Sequence, residues 1–441
     1  MKIAIIGYGI EGKSSYQYFS KSPSNQIEIR DQNDQLELEP GIESKLGQQY
    51  LDDLNSFDLV VRSSGIQPEI ILDRYPDLGH GLSSQLNEFL SVCPSKKIIG
   101  VTGTKGKGTT STLIAQMLEK AGKSTVLGGN IGLPMLDMLD RINGDTYVVL
   151  ELSSFQLVDL SEPSPHWAVC LMVVPEHLNW HPDLADYLEA KSKLFENQTH
   201  EDVAIYFSGS NYAKQIASKS SGKQIAYFSE DSAEGASLKD NQLIIAGQVI
   251  CQDSEVKLLG QHNLQNVCAA ITVLWQITKD VQAIRTVVTS FSGLEHRLEF
   301  VDEVNSVKFY DDSFGTTPET AIVAIAAINQ PKVLIAGGSD KGADYSAMVN
   351  AIITGNVKHV ICIGNTGVTI AGLLEKTEVP YTLLGIDEAN IEDIVRQALN
   401  RAEPGDAVLL STGSASFDMF ANYKDRGDSF KKAVRLLATT A

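Results

Sequence analysis

The sequence predicts an α/β fold in three consecutive domains, and three observations carry that expectation. Apolar, strand-like runs alternate with amphipathic, helix-like stretches along the chain. Two strand-to-helix junctions, around Gly7–Gly12 and Gly103–Gly108, are rich in glycine. The length of 441 residues corresponds to roughly three domains of ordinary size.

The first segment, residues 1–92, reads as a small parallel unit. Lys2 to Ile6 is strand-like, "GYGIEG" turns, a helix runs through Tyr16 to Phe19, and Ile27 to Ile29 and "FDLVVRSSGIQP" follow. The pattern Gly7-x-Gly9-x-x-Gly12 after the first strand, with Asp31 closing the second, makes the unit Rossmann-like. Taken alone the pattern fits a nicotinamide oxidoreductase, but the same scaffold also holds other nucleotides, and a second nucleotide loop follows. "LSVCPSKK" marks a boundary near Cys93.

The second segment, 93–298, opens with "GVTGTKGKGTTSTLIAQMLEKAG". Ile98 to Val101 reads as a buried strand; Gly103, Gly106 and Gly108 let backbone N–H groups converge; Lys107 adds a cation. Leu113, Ile114, Met117, Leu118 and Ala121 recur at helical spacing, and Gly122 stops the helix. The strict phosphate-loop pattern needs a glycine at Val101 and a hydroxyl at Gly108. Thr109 instead carries the hydroxyl one place later, where it suits magnesium. A central P-loop ATPase-like domain with a parallel or mixed sheet is expected.

Within it, Glu151 ends the apolar run of "YVVLELSSFQL", where open α/β sheets present ligands, and a carboxylate there suits magnesium. "PEHLNWHPDLADYLEAK" supplies His177, His181 and Lys191; either histidine alone reads as structural, and a lysine on an amphipathic helix reads as solvated. "GQHNLQNVCAAI" brings Asn263 and Asn266 into one helical turn, and Arg297 in "GLEHRLEF" offers a fork for phosphate or carboxylate at the second boundary. The third segment, 299–441, repeats strand signals in "KVLIAGG", "KHVICIG" and "AVLLSTG" and is again Rossmann-like. "DDSFGTTPET", "GGSDKGADY" and "STGSASFDMFANYKDRG" place acids, Lys341 and Ser416 near its strand ends. Two anion-handling regions on separate domains point to a ligase or kinase.

Composition narrows the classes. A net charge of −19 argues against a broad nucleic-acid surface, which needs Lys and Arg to neutralise phosphates. The N-terminus enters a strand at once, and no apolar run is long enough to span a membrane, so a cytoplasmic protein is expected. Five scattered cysteines without C-x-x-C predict buried thiols, with neither disulfides nor zinc.

As a set, "GGNIGLP", "LELSSFQL", "GQHNLQN", "HRLEF" and "SASFDMFANYKDRG" resemble the Mur ligases over nearly the whole chain. The resemblance implies peptidoglycan precursor synthesis: ATP and two magnesium ions used to add D-glutamate to UDP-N-acetylmuramoyl-L-alanine through an acyl phosphate. A cytoplasmic protein, taken to be monomeric, is expected. It implies that Gly103, Thr104, Lys105, Gly106, Lys107, Gly108 and Thr109 hold the phosphates, with Asn266, Arg297 and Asp312 as further ATP contacts. Lys107, Glu151, His177 and a carbamylated Lys191 are the implied catalytic positions, and Thr109, Glu151, His177 and Lys191 the metal positions. Ile10, Glu11, Asp31, Ser63 and Asn130 would hold the UDP-sugar; Lys341, Ser416, Phe417 and Tyr423 would hold D-glutamate. The chain departs from the family at Lys105, Gly108, Met172, Asn179 and Phe314, the last standing where a lysine is common. The Gly-Lys-Gly-Thr order resembles folylpolyglutamate synthases, the second reading; a nucleotide-binding regulator that has lost catalysis is the third.

Overall fold

The computed structural model describes residues 1–79, 81–229, 232–258, 260–340, 342–385 and 390–440. The chain divides into two compact units, Met1–Val256 with Gln261–Ser290, and Lys257–Gly260 with Phe291–Ala441. Among the described residues the strands form four sheets, three in the first unit and one in the second.

The first sheet holds β1 (Lys2–Ile6), β2 (Gln26–Asp31), β3 (Glu43–Leu46), β4 (Leu59–Arg62) and β5 (Leu82–Ser84), all parallel, in the order β3-β2-β1-β4-β5. Ile3, Ala4, Ile5 and Ile6 are all buried, as a central parallel strand covered on both faces requires. The helix Ile10–Ser20 follows the glycine turn. A Cβ on Gly12 would fall 1.9 Å from the Gly7 carbonyl oxygen, so the third glycine of the pattern is what lets this helix sit against β1.

The second sheet comprises β6 (Ile98–Thr102), β7 (Thr125–Gly129), β8 (Tyr147–Glu151), β9 (Trp167–Cys170), β10 (Val203–Phe207) and β11 (Lys223–Tyr227), in the order β11-β10-β9-β6-β8-β7. The chain leaves β6 toward β7 and β8 on one side and later returns to β9 on the other. The carboxyl end of β6 is therefore a switch point, where such sheets open a crevice for ligands. A small antiparallel sheet, β12 (Ser237–Lys239), β13 (Gln242–Ile245) and β14 (Gln248–Gln252), is an addition that the sequence reading did not anticipate.

The second unit has the order β15-β16-β20-β17-β18-β19, built from β15 (Glu299–Val304), β16 (Val307–Asp311), β17 (Lys332–Ala336), β18 (Val357–Cys362), β19 (Tyr381–Leu383) and β20 (Ala407–Leu410). Among the described strands of this sheet, β15 and β16 pair antiparallel and the other neighbours parallel. Alternate strand residues face opposite cores. Leu334, Val360 and Leu409 pack with Ile325, Met348 and Ile370, while Val333, Ile361 and Val408 pack with Ile394, Phe430 and Val434. Helices thus cover both faces. All five cysteines are buried free thiols. Among the described residues no helix is long and apolar enough to cross a membrane.

Candidate active site

The loop after β6 leads straight into the helix Lys107–Lys120. Gly106 caps that helix at φ +87°, and a Cβ there would lie 2.1 Å from Asn266 Oδ1. Loop and asparagine are thus in contact, and Asn266 Nδ2 in turn donates to Asn263 Oδ1 at 3.0 Å. Lys107 Nζ folds back to the carbonyls of Gly103 (3.2 Å) and Thr104 (3.1 Å). Lys105 is exposed and pairs with Glu176 at 2.6 Å. Thr104, expected among the phosphate contacts, is committed elsewhere. Its N–H donates to the Met172 carbonyl, and its buried hydroxyl bonds the Val174 backbone and the Tyr187 hydroxyl. These bonds shape the loop. Thr109 is buried in the first turn; beside it Thr110 Oγ1 is buried without a hydrogen-bond partner.

Glu151 is buried at the end of β8 and accepts from Asn130 Nδ2 at 3.1 Å. His177 has φ +60°, a conformation that non-glycine residues adopt rarely and that clusters at functional sites. Its half-exposed ring lies 4.8 Å from that of Phe155. Desolvation lowers its pKa; Glu176 opposes the shift, while Lys107, Lys191 and Lys105 reinforce it, so the imidazole is held neutral.

Lys191 overturns the solvated reading. It lies on the buried face of the helix Leu184–Glu196, only 2% exposed, with Nζ 3.0 Å from the Gly103 carbonyl and 4.6 Å from the centre of the Tyr187 ring. Burial, and then the charge of Lys107, bring its pKa down to about 7.

All five residues expected to hold the sugar nucleotide line one cavity of about 580 Å³: Ile10, Glu11, Asp31, Ser63 and Asn130. Asp31 receives the Tyr8 N–H at 2.7 Å, and Ser63 donates to the Gly7 carbonyl at 2.8 Å. Glu11 accepts from the Ser64 N–H (2.8 Å) and Gln156 Nε2 (2.9 Å). Asn130 thus links this cavity to Glu151. Arg62, which sequence reasoning missed, is fully buried and clasps Asp159 through Nε (2.6 Å) and Nη2 (2.8 Å), tying the first sheet to the second.

In the second unit, Asp312 is buried and accepts from the Leu298 N–H (3.2 Å) and Ser411 Oγ (2.8 Å). Desolvation raises its carboxyl to about 7 against those hydrogen bonds. Arg297 lies 4.8 Å over the ring of Phe314, which meets Tyr423 edge-on at 5.2 Å. Ser416 is buried, and Phe417 is exposed. Lys341 lies outside the described residues. Two further residues were not found from sequence. Asp418 joins Ser339 Oγ (3.1 Å) to the Asn365 N–H (3.0 Å), and buried Arg426 donates to Ser313 and to the Ser414 carbonyl. The charge of Arg426 in a surface-like segment gave no local sign of its burial. Among the described residues, His296, Glu299 and Asp311 form the cluster of three potential metal ligands. There the His296 Nδ1 to Asp311 contact of 2.7 Å is a direct hydrogen bond, and Glu299 also pairs with Lys431, so the group is satisfied without an ion.

Family models described as the Mur ligase middle domain and the Mur ligase, glutamate ligase domain match residues 101–274 and 296–414. The UDP-N-acetylmuramoylalanine–D-glutamate ligase of Clostridium tetani is 33% identical, covering 99% of this chain and 97% of its own length. The enzyme of that name from Acetivibrio thermocellus is 36% identical, covering 98% and 96%. The MurF ligase from Thermotoga maritima, solved in complex with ADP, shares the fold at a TM-score of 0.58 and 17% identity, over 100% of this chain and 95% of that one. With a phosphate loop at the sheet's switch point and relatives that match from end to end, this chain belongs to the Mur ligase family.

Proposed function

We propose that the protein joins D-glutamate to UDP-N-acetylmuramoyl-L-alanine with conversion of ATP to ADP and phosphate, a step of peptidoglycan precursor synthesis. One observation supports the chemistry above all: Lys107 and Lys191 converge on the Gly103 carbonyl in the phosphate loop. Residues 1–92 would take the UDP-sugar, 93–298 ATP, and 299–441 the amino acid. The reading carries with it a cytoplasmic location and a monomeric enzyme.

The substrate's alanine carboxylate attacks the γ-phosphorus, and ADP leaves. The D-glutamate amine then attacks the acyl-phosphate carbonyl, the amide forms, and inorganic phosphate departs. Lys107 and the N-terminus of its helix hold the phosphates. Asn266, Arg297 and Asp312 are the further nucleotide contacts, and Ser416, Phe417, Tyr423 and Lys341 the amino-acid contacts. A buried carboxylate at Glu151 and the Thr109 hydroxyl are oxygen donors that fit magnesium, a carbamate on Lys191 would add two more of the kind it prefers, and His177 would join them through a ring nitrogen. Bound there, the ions would neutralise phosphate charge.

ADP release from purified protein with UDP-N-acetylmuramoyl-L-alanine, compared among D-glutamate, L-glutamate and a folate, tests the proposal. Dependence on D-glutamate and the UDP-sugar is expected; equal turnover of a folate with L-glutamate would promote the folylpolyglutamate reading.

A further inference from the structure

Three elements carry Glu151, His177 and Lys191: the end of β8, the loop 175–183, and the helix Leu184–Glu196. One buried imidazole joins all three. The side chain of His181 is wholly buried; Nδ1 lies 2.6 Å from Asp186 Oδ2 and Nε2 2.8 Å from Ser154 Oγ. Its own N–H donates to the His177 carbonyl at 2.9 Å. Ser154 starts a short helix three residues after Glu151, and Asp186 sits in the first turn of the helix that bears Lys191. The His181 ring lies 5.3 Å from that of Tyr187, whose hydroxyl is 2.8 Å from Thr104 Oγ1 in the phosphate loop. Phe155 and Trp180 close over it at 5.8 and 4.6 Å.

Hydroxyl, imidazole and carboxylate in line is the arrangement of a hydrolytic nucleophile. Here Ser154 is 2% exposed, so no substrate reaches it. The arrangement serves to hold. A carboxylate only accepts, so Nδ1 donates to Asp186, and Nε2 pairs with the serine hydroxyl. Both ring nitrogens are spent, and a buried ring bonded at both ends restrains what it connects, although Asp186 itself reaches the surface.

We infer that His181 is a positioning residue for ligation: through Ser154, Asp186 and the His177 carbonyl it fixes Glu151, His177 and Lys191 relative to one another. The inference rests on the catalytic reading of those three residues. Asparagine or glutamine at 181 reproduces one of the two ring contacts and loses the other, so neither replaces the link.

The test uses the full-length enzyme with Ser154→Ala, Asp186→Asn, their double variant, and His181→Asn. It measures melting temperature, calorimetric affinity for a non-hydrolysable ATP analogue, and kcat and KM. Ser154→Ala and Asp186→Asn should each lower kcat about 10- to 100-fold, with analogue affinity and KM within about threefold. The double variant should be no more than about threefold worse than the worse single one, because both act through the same ring. Costs that multiply, or unchanged kcat per folded molecule with only a lowered melting temperature, would overturn the positioning role. If His181→Asn does not fold, the other two variants decide. His177→Ala and Lys191→Ala run alongside. If these two lose activity while Ser154→Ala and Asp186→Asn do not, the positioning role falls and the functional reading stands. If they keep full activity, that functional reading itself falls.

Discussion

Lys107 and Lys191 donate to the same carbonyl, that of Gly103, at 3.2 and 3.0 Å. Burial makes the deeper of the two amines costly to charge, and repulsion by a second ammonium at the same acceptor adds to that cost. Lys191 accordingly ionises near 7, so an unprotonated amine able to take up CO₂ is present at neutral pH. Carbamylation would turn that repulsion into attraction. Lys191→Ala should lower kcat by about 100-fold or more while ATP affinity changes only a few-fold, and added formate or acetate should restore part of the rate. Most of the activity surviving in carbonate-depleted buffer would refute the carbamate.

Gly106 stands at φ +87° against Asn266. Alanine there is strained in its backbone and strikes a buried amide, so Gly106→Ala should cost on the order of 1–3 kcal/mol and raise KM for ATP at least about tenfold. Thermal unfolding and initial rates check both; a variant with native KM would show that loop and asparagine are not jointly used.

Thr109 and Thr110 are adjacent buried threonines in the first turn of the loop helix. Gly108 has no side chain to offer, so Thr109 is assigned the magnesium hydroxyl. Thr109→Val should raise the magnesium concentration needed for half-maximal rate about tenfold or more. Thr110→Val should leave it unchanged, since its hydroxyl has no protein partner to lose. The reverse ranking in a magnesium titration would shift the assignment by one residue.

Asp312 carries a stability signature. Its folded-state pKa, about 7, lies above the ordinary carboxylate value of 3.8. Between those values the folded state keeps a proton that the unfolded chain has lost, so stability falls as pH rises from about 4 to 7. Asp312→Asn should remove that slope and be more stable at pH 8, by up to a few kcal/mol, while losing activity. Urea unfolding of both proteins across this range decides; parallel curves would contradict it.

Phe314 carries the Arg297 guanidinium over its ring, 4.8 Å from the ring centre. A partly exposed cation–π contact is worth about 0.5–1 kcal/mol. Phe314→Leu should therefore raise KM for ATP about two- to fivefold with little change in kcat. Phe314→Lys should do worse, because it sets a cation against Arg297. Steady-state kinetics showing an unchanged KM in both would show that the ring does not support Arg297 in binding ATP.

The sequence by itself determined the strand, glycine turn and helix of both nucleotide-type loops, the succession of α/β segments along the chain, and the motif set that marks the family. These are local signals: a period of 2 or 3.6, a glycine where backbones must meet, a fixed spacing of side chains. Tertiary structure alone decided solvation and convergence. The helical pattern places Lys191 among solvated lysines, yet packing against the phosphate loop strips its water and lowers its pKa. Ile10, Asp31, Ser63 and Asn130 share a cavity because the segments that follow β1, β2, β4 and β7 meet at it. The bonds of Thr104 to Met172, Val174 and Tyr187, and the burial that raises the Asp312 carboxyl, likewise leave no mark in the local sequence. Chain-local periodicity fixes which atoms enter an element. Which of them keep their water depends on what a distant part of the chain lays over them, and that is set only when the layers pack.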